Sequence, residues 1–474
     1  MNLLGIDVGT TSLKAVLYNE AGESLAGVNT DYTLTTRGEL VEFDANEYVR
    51  ITKEAIASIR ERFPIDAISI DTQGETLILT DGEGTPLMPA IVWLDNRATA
   101  EAAEIEAHFG QEEIYRVTGQ PETTGGWPGC KLLWVKRNLP EVWQKTKKVF
   151  LLEDWLLYAL TGEFVTEPTI QSSSIYLDIN TRAWWPEMLS FIGCDESILP
   201  RIANSAERIG SFDGIPVVTG ALDQIAGAIG VGVLDENVIS EMTGTIMAIC
   251  AVTEAVPPYD PKSKIPCHLH AVPDKFVRLL WSSTAGMALK WFRNNFAEEL
   301  SFAELDRLAE EAGPGAEGLT MLPHLCGSTM PIYNPDAKGS FWGMTLAHGR
   351  GHFARAILEA VAFTLKDDLE HIGADCDEIR ITGGGAASPL WAQIKADVTG
   401  IRLATVKEKE SACLGTAIMA GVGIGVYPSF EEACKRLVAT KKIYTPGGTD
   451  YSAAYAQYQR LDRLLNDPDR PIGK

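Results

Sequence analysis

The sequence is short of positive charge. Its 41 Lys and Arg residues stand against 64 Asp and Glu in 474 residues, a formal net charge of −23, which repels nucleic-acid backbone and anionic membrane and disfavours both as partners. Metal-binding cysteine spacing is absent. The eight cysteines, at positions 130, 194, 250, 267, 326, 376, 413 and 434, include no CxxC pair, which suits buried thiols in a reducing compartment and argues against zinc. Histidine is scarce, and the one tight group, Cys267-His268-x-His270, has no partner pair and reads as structural. No GxxxxGK[ST] run and no dinucleotide fingerprint occurs, so neither a P-loop nor a Rossmann cofactor site is supported. The opening Met1-Asn2-Leu3-Leu4-Gly5-Ile6-Asp7 has no basic stretch and puts an acid where a secretion signal needs apolar residues, so a cytoplasmic location is expected. One uncharged window, 411–430, approaches the length of a membrane span. It is interrupted by Gly415, Gly421, Gly423, Gly425 and Pro428, and is expected to be a buried helix packed closely on a neighbour.

What is present is the material of a large core: 45% apolar and 22% charged residues, in a chain roughly three times the common domain size. Two domains sharing a cleft are therefore expected. Residues 3–7 and 13–18 read as strands around a Gly9-Thr10-Thr11-Ser12 turn, and 19–22 turns into a third strand. Residues 47–63 have helical spacing, and 67–71 are again strand-like, so the fold class is α/β. A related strand, Gly/Thr turn and strand recurs from 238 to 252, a weak internal repeat that suggests two similar halves joined near 235–238. Segments 256–266 and 313–318 read as surface loops, and 302–311 and 353–372 as helices.

Four features carry chemistry. In Asp7-x-Gly9-Thr10-Thr11-Ser12-x-Lys14, turn amides and hydroxyls can surround phosphate oxygens, Lys14 can meet a phosphate, and Asp7 can hold hydrated Mg²⁺. An ordinary hairpin turn has the same composition, so the motif alone leaves the choice open. Thr243-Gly244-Thr245 supplies a second such turn. Gly383-Gly384-Gly385-Ala386, between a strand and a helix, lets backbone approach a ligand. In Gly220-Ala221-Leu222-Asp223-Gln224 an acid opens a helix, where it can serve as a proton acceptor or simply as a cap.

The order and spacing of these turns resemble the FGGY carbohydrate kinases of the actin and hexokinase superfamily. Two long runs carry the resemblance: residues 126–138, from Gly126-Trp127-Pro128 through Lys131-Leu132-Leu133-Trp134, and Gly339-Ser340-Phe341-Trp342-Gly343-Met344 with His352-Phe353-Ala354-Arg355-Ala356-Ile357-Leu358-Glu359. Glu410-Ser411-Ala412-Cys413-Leu414-Gly415-Thr416-Ala417 is similar to the family's C-terminal turn and helix. The resemblance implies two ribonuclease-H-like α/β domains flanking a cleft, a sugar-binding half at 1–236 and a nucleotide-binding half at 237–474. It implies ATP and Mg²⁺, with Asp223 as general base and Asp7 toward the metal. Gly9, Thr10, Thr11, Lys14, Gly244, Thr245, Gly286, Lys290, Gly384, Gly385 and Ala386 are the implied nucleotide and phosphate residues, while Ser388 and Pro389 stand where some members have an Asn near adenine.

For the substrate, Asp71-Thr72-Gln73-Gly74-Glu75-Thr76 is a hybrid. Gln73, Glu75 and Thr76 resemble glycerol kinases, but Gly74 replaces their Arg, and the xylulokinase His is absent. Trp93 matches a pocket wall, and Asp95 and Arg97 are similar to the xylulokinase loop. Gly126 and Ala248 fall where glycerol kinases place aromatic walls, which favours a substrate longer than three carbons. The expected substrate-binding residues are Gln73, Glu75, Trp93, Asp95, Asp223 and Gln224, of which Glu75, Asp95, Asp223 and Gln224 are the expected hydroxyl partners. The expected activity is ATP-dependent phosphorylation of a ketopentose such as xylulose, nearest to xylulokinase. Ribulose, a four- to six-carbon polyol, glycerol and a non-catalytic sugar sensor are the alternatives, and a homodimer is left open.

Overall fold

The structure, a computed structural model, describes residues 1–330 and 332–466. The first sheet is built from β1 (Asn2–Val8), β2 (Ser12–Asn19), β3 (Ser24–Asp31), β4 (Ala67–Thr72), β5 (Arg208–Phe212) and β6 (Ile215–Leu222), in the order β5-β6-β4-β1-β2-β3. β1, β2 and β3 are antiparallel neighbours, whereas β1, β4 and β6 run parallel. Strands buried on both faces read as apolar runs, and Leu3, Leu4, Ile6 and Val8 of β1 are all buried. Helix α1 (Ala45–Arg60) turns Tyr48, Ile51, Ala55, Ile56 and Ile59 inward, and Asp44 caps its start by accepting from the Asn46 amide at 2.9 Å.

The parallel strands place the chemistry. Asp7 of β1 lies opposite Asp71 of β4, both near the strands' carboxyl ends, and β6 runs straight into α2 (Asp223–Gly230). In α/β sheets this is the edge where ligands gather. Three acids thus converge on one end of one sheet.

The second sheet repeats the plan. It comprises β7 (Val238–Thr243), β8 (Met247–Thr253), β9 (Cys267–Leu269), β10 (Phe276–Ser282), β11 (Glu378–Thr382), β12 (Arg402–Val406) and β13 (Thr440–Tyr444), ordered β9-β10-β8-β7-β11-β12-β13. The hairpin β7–β8 corresponds to β1–β2, and β7 pairs in parallel with β11. Helices α3 (Arg350–Ile372) and α4 (Pro389–Thr399) complete this half.

The window at 411–430 yields α5 (Ser411–Gly423), buried from Cys413 to Gly421. Among the described residues no helix is long and apolar enough to cross a membrane. α5 comes from the second half of the chain yet packs on β1, β4, β6 and α2 of the first sheet. The segment at 313–318 keeps Pro314, Glu317 and Gly318 exposed, as its reading as a surface loop expects, but it is pinned at one point. Its Ala316 is fully buried, and the Gly315 amide donates to Glu359 of α3 at 2.8 Å. Cys267 and His268 lie in β9, and with His270 they are buried, which pushes both imidazoles down to about 4.

Candidate active site

The turn after β1 is closed by the Gly9 amide bonding to the Ser12 carbonyl at 3.0 Å. Lys14 points toward the second half of the chain, where its Nζ donates to Glu410 at 2.6 Å. Burial works against its charge, yet Glu410 and Asp7 hold the ammonium above its ordinary value. Thr10 accepts from the Trp93 indole at 3.0 Å, so the phosphate-type turn is tied to the expected sugar wall. Trp93 itself stays 40% exposed, which leaves part of its surface free to meet a ligand.

Asp7 and Asp71 press together with little between them. Burial pushes the Asp7 carboxyl up against the pull of Lys14, while burial and then Asp7 push Asp71 well up. Asp71 accepts from Thr416 of α5 through one oxygen, and its other oxygen is buried without a partner. An orphaned carboxylate oxygen beside a second acid is a costly arrangement that positive charge or a proton relieves.

Asp223 opens α2 with its carboxylate accepting from the Gln224 amide at 2.6 Å. Burial first, and then Asp7, push it up to about 8, with Glu75 also contributing. Glu75 is thus near, and its backbone sits at φ 53°, a left-handed conformation rare for a side chain of this size. Two contacts hold it there. Ser173 donates its hydroxyl to the Glu75 carboxylate, and the fully buried Lys131 donates to the Glu75 carbonyl at 3.0 Å and to the Val92 carbonyl at 2.9 Å. One ammonium therefore clamps the loop of Gln73 and Glu75 to the loop of Trp93, and burial pushes that ammonium down to about 7.

One expected hydroxyl partner is otherwise engaged. Asp95 is wholly buried and spends its oxygens on Arg97 at 2.7 and 2.8 Å, on the Arg97 amide at 3.0 Å and on the Val41 amide at 2.6 Å. It anchors the Trp93 loop rather than facing a substrate. Gln73 is buried, with its amide nitrogen on the Tyr48 hydroxyl at 3.2 Å and its amide oxygen left without a partner. Gln224 is exposed. At Gly126 there is no vacancy: an added Cβ would lie 3.1 Å from the Trp93 carbonyl oxygen, so the missing side chain lets the Trp93 loop close in. Ala248 is partly open and is flanked across the sheet by Met242 and Trp281.

In the second half, a cavity of about 740 Å³ gathers Gly244, Thr245, Gly286, Lys290, Gly384 and Gly385 from three separate stretches of chain. Ala386 does not line it, whereas Ala387 and Ser388 do. Pro389 begins α4, and Ser388 caps that helix by accepting from the Trp391 amide at 3.0 Å. The exposed rings of Trp291 and Phe302 form an apolar side. The size and the mix of small-residue turns with aromatic walls suit a nucleotide. Another cavity, of about 690 Å³ around Lys264, His324, Asp367 and Asp462, contains none of the residues expected to act.

The N-terminal domain model of the FGGY family of carbohydrate kinases matches residues 2–230, and the family's C-terminal domain model matches residues 272–424. The chain belongs to the FGGY family of carbohydrate kinases. It is therefore an ATP-dependent sugar kinase with the family's two-domain actin/hexokinase-like fold. A xylulose kinase of Lactococcus lactis is 29% identical over 97% of this chain and 95% of its own length. A gluconokinase of Bacillus subtilis is 28% identical over 98% and 96%. The crystal structure of a xylulose kinase from Rhodospirillum rubrum superposes with a TM-score of 0.90 at 26% identity, covering 98% of this chain and 99% of that one.

Sequence reasoning missed Lys131, Ser173, Asp71 and Thr416. Lys131 lies inside the long 126–138 run, where a cation beside Leu132, Leu133 and Trp134 was the available signal, whereas Ser173 sits in a Ser172-Ser173-Ser174 run that does not single it out. Asp71 and Thr416 lie far apart in the chain and meet only through the packing of α5.

Proposed function

We propose that this FGGY kinase transfers the γ-phosphoryl group of ATP to a hydroxyl of a neutral ketopentose, with xylulose the first candidate. The observation that carries the reading is the setting of Asp223. It sits where the sugar loop, the turn after β1 and strand β8 of the second half meet, near Glu75, Asp7 and Cys250. A carboxylate whose proton affinity is raised into the neutral range is suited to take a proton from a sugar hydroxyl. As the hydroxyl oxygen bonds to the γ-phosphorus, the bond to the bridging oxygen breaks, ADP leaves, and the proton passes to Asp223. Glu75, Gln224 and the Trp93 face orient the sugar, and Thr245 and the Gly384-Gly385 backbone hold the phosphate side.

Asp7 is the residue for Mg²⁺, with Asp71 beside it. Their abutting carboxylates, and the buried Asp71 oxygen without a partner, suit a hydrated divalent cation. Bound there, the cation neutralises phosphate charge.

Charge favours a neutral sugar over an aldonate, although one relative is named a gluconokinase. The cations near the sugar loops are committed. Arg97 is paired with Asp95 and Glu42, Lys131 is buried beneath backbone carbonyls, and Lys14 is held by Glu410. Asp223 and Glu75 remain facing the substrate, and an added carboxylate would meet acids whose ionisation it opposes and no cationic partner. A coupled ADP-release screen over pentuloses, hexuloses, polyols, glycerol and gluconate tests this, with the phosphorylated carbon located by NMR. A neutral ketose as best substrate supports the proposal, and gluconate as best substrate overturns it.

A further inference from the structure

Beneath the nucleotide cavity lies a charged cluster that the reaction itself does not use. Lys395 of α4 is 1% exposed and Glu241 of β7 is 0% exposed. The Lys395 ammonium donates to Glu241 at 2.8 Å and to the Thr243 hydroxyl at 2.7 Å, and that hydroxyl donates to the other Glu241 oxygen. The ammonium also lies 5.1 Å from the centre of the Trp391 ring, a wall of the cavity. Each charged group is satisfied within the cluster.

Thr243 is where the nucleotide loops touch. A Cβ on Gly383 would fall 2.6 Å from the Thr243 carbonyl oxygen, and one on Gly385 would fall 2.6 Å from the Thr243 Cβ. The next residue, Gly244, accepts from the Gly286 amide at 3.0 Å. The position of Thr243 therefore sets the spacing between the Gly244-Thr245 turn, the Gly383–Gly385 turn and the start of the helix at Gly286. A buried ion pair is a poor source of net stability compared with well-packed apolar residues. What it supplies is direction, because the hydroxyl it grips can adopt one orientation only.

We propose that Lys395 and Glu241 are positioning residues for the donor nucleotide: by locking the Thr243 hydroxyl, they hold the three glycine-containing loops at the spacing that ATP requires. The inference rests on the reading of the 740 Å³ cavity as the nucleotide site. Sugar affinity does not depend on the cluster, because no member touches the Glu75 or Trp93 loops.

The test separates positioning from simple support of the fold. In the double variant Lys395→Leu/Glu241→Leu, the charges leave together and thermal stability stays near wild type. KM for ATP and Kd for ADP rise about tenfold, the size expected when a hydrogen bond to a charged group is lost. KM for the sugar stays unchanged, and kcat at saturating ATP changes much less than KM for ATP. Thr243→Val, which removes only the hydroxyl, reproduces the rise and decides the matter if the double variant fails to fold. Wild-type KM for ATP in a folded double variant or in Thr243→Val overturns the proposal. Ala387→Trp, which fills the cavity, checks the underlying reading: unchanged ADP binding there would show that the nucleotide sits elsewhere, a separate failure.

Discussion

Gly415→Ala is expected to cost both stability and turnover, although no ligand touches residue 415. Gly415 of α5 crosses Ala226 of α2 so closely that an added Cβ would lie 1.9 Å from the Ala226 carbonyl oxygen, and a Cβ on Gly230 would lie 1.8 Å from the Ser411 carbonyl oxygen. The obstacle is backbone on both sides, so no rotamer change can make room. Bringing that contact to a tolerable distance needs a shift of roughly 1 Å between the helices. Overpacking costs about 1–3 kcal/mol, and the rigid surroundings put this case near ~3 kcal/mol. For a domain of this size that lowers Tm by roughly 6–12 °C. Asp223 begins the displaced helix one turn before Ala226, and a ~1 Å misplacement of a reacting group can remove about 10²-fold in rate. Differential scanning calorimetry and steady-state kinetics read the two effects. Gly27→Ala is the control, because its Cβ would meet its nearest atoms at 3.7 and 3.8 Å, ordinary contact distances. A Gly415→Ala protein with wild-type Tm and kcat would refute the packing argument.

Three further outcomes are expected. Asp223 accepts a proton only when ionised, and burial raises its carboxyl, so kcat/KM for the sugar climbs as pH rises from the acid side into the neutral range; a flat profile over that range, with stability unchanged, contradicts its role. Asp7→Ala abolishes turnover and weakens Mn²⁺ binding measured by electron paramagnetic resonance, with Asp71→Asn weakening it less; full activity in EDTA contradicts the metal assignment. A ketopentose exceeds glycerol in kcat/KM by more than about tenfold, since glycerol leaves the Glu75 oxygen that Ser173 does not bond without a sugar hydroxyl, and Ala248→Phe hurts the longer substrate more; equal losses would show that Ala248 does not set pocket length.

Much of this was legible in the sequence because it is local. The hairpin turns at Gly9 and Gly244 interrupt apolar strands, and Asp223 follows a strand directly, so two related halves could be read from periodicity and glycine placement, while the two domains and their cleft rested on the resemblance to the FGGY kinases. The glycine-rich window from 411 also read correctly as a packed helix. Commitments made across the fold were hidden. Asp95 looked like a free carboxylate beside Trp93, but Arg97 and the Val41 amide claim it. Gly126 reads as an opened wall, but the Trp93 carbonyl oxygen lies against it, 3.1 Å from where a Cβ would stand. Lys131 and Lys395 showed no spacing that marks a buried cation, because their partners come from other strands and loops.

The most direct test of the account is Asp223→Asn, followed by ³¹P NMR of sugar-phosphate formation and calorimetric titration of ADP. The amide keeps the shape of the side chain but cannot accept the hydroxyl proton, so turnover is expected to fall by about 10²–10⁴ while Kd for ADP stays within a few-fold. A variant that retains more than about half of wild-type kcat would contradict the assignment of Asp223 as the base.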